Sequence, residues 1–168
     1  MINLAEANKT LWQQVWKNED LLCCFNCSTC ISGCPASEAD PPLLVRNLVR
    51  MVVLGLEDEL LEEDSPWICV TCTRCEEMCP QDVKPFEIVL AIRRWQCRQD
   101  ETRLPQVLPE IYERGYTQPV EGGELRAAVG LEKLPALFEY PDLLQKFRSM
   151  LMEVEVVKAN AYMFQAGG

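Results

Sequence analysis

Eight of the ten cysteines in this sequence fall into two runs of one pattern. The first, CFNCSTCISGCP, places Cys24, Cys27, Cys30, Cys34 and Pro35; the second, CVTCTRCEEMCP, places Cys69, Cys72, Cys75, Cys79 and Pro80, each 45 residues after its counterpart. Thiolates are nucleophiles and soft metal ligands, and spacing decides which role they take. The run C-x2-C-x2-C-x3-C-P binds [4Fe–4S] cubanes, and in two-cluster proteins its fourth cysteine ligates the other cluster. A cubane offers four iron corners in tetrahedral directions. Three closely spaced thiolates on a tight loop cover three of them, so the fourth ligand has to arrive from elsewhere. By that rule Cys24, Cys27, Cys30 and Cys79 hold one cluster, and Cys69, Cys72, Cys75 and Cys34 hold the other. The exchange ties the repeats together through metal, so removing iron is expected to unfold the core.

Other uses of the cysteines stay open at this point. Two all-cysteine zinc sites also consume eight thiolates, making the chain a zinc-stapled scaffold, although zinc ribbons pair two C-x2-C knuckles rather than two quartets ending in Cys-Pro. Cys23 adjoins Cys24 and would replace it at C-x3-C spacing, whereas Cys24 keeps the regular x2 spacing. Cys97, in a helical stretch, reads as a small buried apolar residue. Phe25, Ile31, Ile68, Val70, Met78 and Val83 are candidates to keep water from the sulfurs. The tryptophans read as core fillers.

The rest of the composition narrows the chemistry. The chain has 168 residues, 48% apolar and 25% charged, which suits one compact core with an appendage. With no histidine there is no Ser-His-Asp triad, HExxH site, Rieske centre or His-ligated haem. A net charge of −10 argues against nucleic acid or anionic membrane and for protein partners. The first twenty residues lack the apolar run of a signal peptide, and no run of eighteen apolar residues occurs. A cytoplasmic location follows as an expectation, and there ten cysteines are unlike a disulfide framework. No G-x-G-x-x-G or P-loop is present, so no catalytic residue is assigned. Electrons are expected to enter and leave through contacts with other subunits, in a hetero-oligomer.

Positioning these loops falls to helices, because strand-like alternation is scarce; the fold class expected is all-α. An N-terminal helix occupies residues 1–20, running from Asn3 to about Asn18 with Asn3 and Glu6 as a capping box. The two cluster repeats fill residues 21–100. Pro41 and Pro42 open one helix, with Leu44, Leu48, Met51 and Val52 inward, Arg46, Asn47 and Arg50 outward, and Gly55 as its stop. Pro85 opens another, with Phe86, Val89, Ile92 and Trp95 inward and Glu87, Arg93, Arg94 and Gln96 outward. Ser65 and Pro66 start a helix before the second block, and the acidic run Glu57 to Asp64 reads as a solvated surface. Residues 101–168 form a helical extension expected to dock on a partner. Its longest helix runs from Pro141 to about Lys158, with Leu143, Leu144, Phe147, Met150, Leu151 and Val154 as its stripe.

The doubled CxxCxxCxxxCP resembles the α-helical ferredoxin domain of succinate dehydrogenase iron–sulfur subunits and of the iron–sulfur subunits of glycolate or glycerol-3-phosphate dehydrogenases. More specifically, WICVTCTRCEEMCPQDVKP, from Trp67 to Pro85, is similar to the second cluster block of the C subunit of heterodisulfide reductase. The resemblance covers about residues 20–100; LRAAVGL, at 125 to 131, adds to it only weakly. It implies two [4Fe–4S] clusters with the ligands given above. It also implies that the chain passes electrons between two partner subunits, an A-like one bearing flavin and clusters and a B-like catalytic one of the CCG type. A carrier for another flavin-linked dehydrogenase is the alternative. Two positions depart from the family pattern. Ser28 stands where glycine is frequent, which alters local hydrogen bonding. The pair Cys23–Cys24 is followed by Phe25, unlike the CCG motif, so substrate reduction is not placed here.

Overall fold

The computed structural model describes residues 7–105, 107–115, 123–130, 140–159 and 161, and every regular element among them is helical. Two compact units divide the chain, Met1–Glu101 and Thr102–Gly168.

The first unit is organised by two long helices. Helix α3 (Val45–Leu54) buries Val45, Leu48, Val49 and Val52, the i, i+3, i+4, i+7 spacing that turns one stripe of a helix to a core. Helix α6 (Pro85–Gln99) buries Ile88, Val89, Ala91, Ile92 and Trp95 against it. A short α1 (Leu11–Val15) adds Leu11 and Val15, and Leu21, Leu43, Leu60 and Val83 complete the cluster. Fully burying each such side chain stabilises by about 2 kcal/mol. Single turns α2 (Thr29–Ser32) and α5 (Arg74–Glu77) pack on each other, and α4 (Glu57–Glu62) follows α3. Gly55 ends α3 at φ +73° and accepts a hydrogen bond from the Asn8 N–H at 2.9 Å. A Cβ there would lie 2.2 Å from the Asn8 carbonyl oxygen, so only glycine lets the N-terminal segment close on the helix end.

Several boundaries differ from the sequence reading. Pro85 does occupy a first helical position. Pro41 and Pro42 do not: α3 starts at Val45. Pro41 precedes a proline and is thereby steered away from helical angles, and the Leu43 N–H bonds back to the Ala36 carbonyl at 2.9 Å. Among the described residues the N-terminal helix is Leu11–Val15: Asn8 takes its backbone to Gly55 and its Oδ1 accepts from the Thr10 N–H at 3.0 Å, a local turn that competes with helix. The Asn3–Glu6 capping box lies outside the described residues. Ser65 and Pro66 do begin a helix, of 3-10 form, over Ser65–Ile68. The acidic run forms α4, which is less solvated than expected: Asp58 and Glu62 are exposed, Glu57, Glu59 and Leu61 are half-buried, Leu60 is buried, and Glu57 Oε2 accepts from Asn8 Nδ2 at 2.7 Å.

In the second unit, α7 (Val107–Arg114), α8 (Gly123–Ala128), α9 (Pro141–Glu153) and α10 (Glu155–Ala159) follow in order. The single helix expected from Pro141 is broken at Val154, whose backbone is extended. Within its expected stripe Leu144 is buried, but Leu143, Met150 and Val154 are exposed. Arg148 of α9 donates to the carbonyls of Tyr112 (2.8 Å) and Glu113 (2.9 Å), satisfying the open end of α7. No helix among the described residues is long and apolar enough to cross a membrane.

Candidate metal centre

The 45-residue repeat persists down to single dihedral angles. In the first block Asn26 and Ser28 have φ of +58° and +69°; in the second Thr71 and Thr73 have +56° and +60°. Each loop thus takes a left-handed residue on either side of its second cysteine. The single turns α2 and α5 then carry the third, Cys30 and Cys75. A left-handed non-glycine residue costs about 1–2 kcal/mol, and a β-branched one is the least suited to it. Two threonines held this way mark a loop whose shape is imposed by its surroundings.

The predicted ligands meet in two groups. Cys24, Cys27, Cys30 and Cys79 line one concavity, shared with Arg46, Val49 and Val83. Cys34, Cys69, Cys72 and Cys75 line another, walled by Leu43, Val45, Phe86 and Val89. In each, three thiols come from one block and the fourth from the other. The packing of α2 on α5 makes this possible, with the Met78 sulfur lying against Gly33. Cys23 is exposed and lines neither concavity, and Cys97 is buried in α6.

Burial and neighbouring thiols act on the innermost cysteine of each block. Burial pushes Cys30 up to about 11, with the charges of Cys24, Cys27 and then Cys79 adding to it. Burial pushes Cys75 up to about 12, helped by Cys69, Cys30, Cys34 and Cys72. Cys27 is shifted the other way, chiefly by its hydrogen bond with the Thr29 hydroxyl. Mutual repulsion of this kind is relieved by a multivalent cation that replaces the protons. Among the described residues no three thiol or carboxylate groups converge on a point where one ion would sit. The four thiols of each group instead line one concavity, a donor set of the kind that would hold a [4Fe–4S] cluster.

The braces around the two loops differ. Around the first concavity, Thr29 Oγ1 lies 3.2 Å from Cys27 Sγ, and the Val83 N–H donates to Cys79 Sγ at 3.4 Å. Arg46 Nη1 donates to Ser28 Oγ at 2.7 Å, so the serine that departs from glycine gives the loop a tie to α3. The second loop is held through its entry. Arg93 donates to the carbonyls of Pro66 (2.7 Å) and Cys69 (2.9 Å) and lies over the Trp67 ring at 5.5 Å. Trp67 donates to Gln96 Oε1 at 2.8 Å, and Gln96 Nε2 donates to the carbonyls of Leu60 (2.8 Å) and Glu63 (2.6 Å). Gln96 is fully buried and Arg93 half-buried, correcting their outward assignment. Their polar type pointed outward, while the backbone acceptors of a distant turn decided their place. Of the expected water shields, Val83 is buried but Phe25 and Val70 are 69% and 63% exposed. Trp95 is fully buried, and Trp12, Trp16 and Trp67 only half so.

Comparison with known proteins bears on the kind of centre this is. Residues 20–83 match the family described as 4Fe-4S dicluster domain. The chain is 35% identical over 143 residues to a protein of Archaeoglobus profundus described as like the C subunit of heterodisulfide reductase, covering 83% of this chain and 76% of that one. It is 31% identical to the second C-type iron-sulfur subunit of the CoB--CoM heterodisulfide reductase of Methanocaldococcus jannaschii, over 96% of this chain and 94% of that one. It is 29% identical to the C subunit of the H(2):CoB-CoM heterodisulfide,ferredoxin reductase of Methanothermobacter thermautotrophicus, over 86% and 80%.

Proposed function

Because the chain belongs to the family of heterodisulfide reductase C subunits and carries two [4Fe–4S] clusters, we propose that it relays electrons within a heterodisulfide-reductase-like complex, between one partner bearing flavin and clusters and another that is catalytic and of the CCG type. In this reading Cys24, Cys27, Cys30 and Cys79 ligate the first cluster and Cys69, Cys72, Cys75 and Cys34 the second. The observation that carries it is the pair of four-thiol concavities, each closed by a cysteine of the opposite block. When bound, each cluster supplies a one-electron redox couple. The chain's own residues supply the rest: thiolates that fix the two groups side by side, and Val45, Leu43, Val49 and Val83 behind them, whose burial keeps water from the inner sulfurs. All eight motif thiols are spent on ligation, leaving no iron corner for substrate, so bond-making chemistry belongs to the partners. The name of the Methanothermobacter relative, a part of a reductase joining heterodisulfide and ferredoxin, supports a place inside such an assembly.

Affinity purification of the full chain from its source under argon tests this. The expected result is about eight iron and eight sulfide per chain, together with a flavoprotein and a CCG-motif protein. A colourless zinc-loaded chain, or recovery with an FAD-linked oxidase alone, would overturn it.

A further inference from the structure

The two concavities offer their sulfurs different company. Around the first, the Thr29 hydroxyl is 3.2 Å from Cys27 Sγ and the Val83 N–H is 3.4 Å from Cys79 Sγ. A metal-bound thiolate has no proton to give, so the hydroxyl is the donor there. Among the described residues no hydrogen bond reaches Sγ of Cys34, Cys69, Cys72 or Cys75. Each loop also has an arginine nearby. Arg46 lines the first concavity, and Arg93 is spent on two carbonyls and the Trp67 ring behind the second. With such an arginine at each, the donors to sulfur are one difference between the sites. At the position equivalent to Thr29 the second block has Arg74, whose charge stands in water and is screened. Donors to ligand sulfur favour the form carrying the extra electron, because added negative charge strengthens a hydrogen bond to its acceptor.

We infer that Thr29 is a tuning residue, making the site of Cys24, Cys27, Cys30 and Cys79 the more readily reduced of the two. This rests on the ligand assignment proposed above. It also gives the relay a direction of preference: an electron shared between the two sites resides on the first.

The test is an EPR-monitored dithionite titration of the full chain, purified anaerobically, as wild type, Thr29→Val and Thr29→Ser. Valine keeps the shape and removes the donor. The wild type should show two midpoints. In Thr29→Val the higher one should fall, so that at the wild-type midpoint the reduced-to-oxidised ratio drops about threefold, while the lower midpoint stays and serine restores the higher. Unmoved midpoints with about eight iron per chain retained would overturn the role of Thr29 alone, as would a shift of only the lower midpoint. A wild type without two clusters would overturn the ligand assignment and this inference with it.

Discussion

The first cysteine block is tied down by one arginine reaching a serine hydroxyl, whereas the second hangs from an arginine, a tryptophan and a buried glutamine that act on backbone carbonyls. Their left-handed residues fall at the same two positions, and the fourth cysteine of each lines the concavity of the other. The repeat has therefore kept what metal geometry demands and let the supports diverge, since each loop rests on different helices. That difference can be measured.

The largest effect is expected in the second brace. Gln96→Leu would leave the Trp67 N–H and the Leu60 and Glu63 carbonyls without their partner, costing about 3 kcal/mol in unfolding free energy. Arg46→Met removes a single tie to Ser28 and should cost about 1 kcal/mol. Denaturant titration of the cluster-loaded chain under argon, followed by circular dichroism, ranks the two; equal losses would erase the contrast between the braces. A smaller effect concerns the loops themselves. Asn26 and Thr71 share the same left-handed conformation, which asparagine adopts at lower cost than β-branched threonine. Thr71→Asn should stabilise by about 0.5–1 kcal/mol and Asn26→Thr should destabilise by a similar amount. Changes of the same sign would show that side-chain strain is not what the two loops have in common.

Much of the centre was legible because metal ligation constrains spacing directly. Three thiols on a short loop, repeated at a constant offset, state which residues must meet. The helices were legible where one local rule acts alone: Pro85 starts α6 and Gly55 ends α3. Where two rules compete, residue type misled. Pro41 looks like a helix start until Pro42 is weighed, and Gln96 looks solvent-facing until the carbonyls of Leu60 and Glu63 are placed beside it. Phe25 and Val70 were read as shields because they are apolar and adjoin ligands, yet the outward curl of the loop exposes both. Thr29 carried no signal at all, since its value lies in a 3.2 Å contact that only the folded loop creates.

The crossing of ligands between blocks is tested most directly by EPR of reduced, anaerobically purified Cys34→Ser, Cys72→Ser and Cys27→Ser chains. Cys34→Ser and Cys72→Ser should lose or alter the same signal, and Cys27→Ser the other one. If Cys34→Ser and Cys27→Ser instead affect one signal in common while Cys72→Ser affects the other, each block holds its own cluster and the account is wrong.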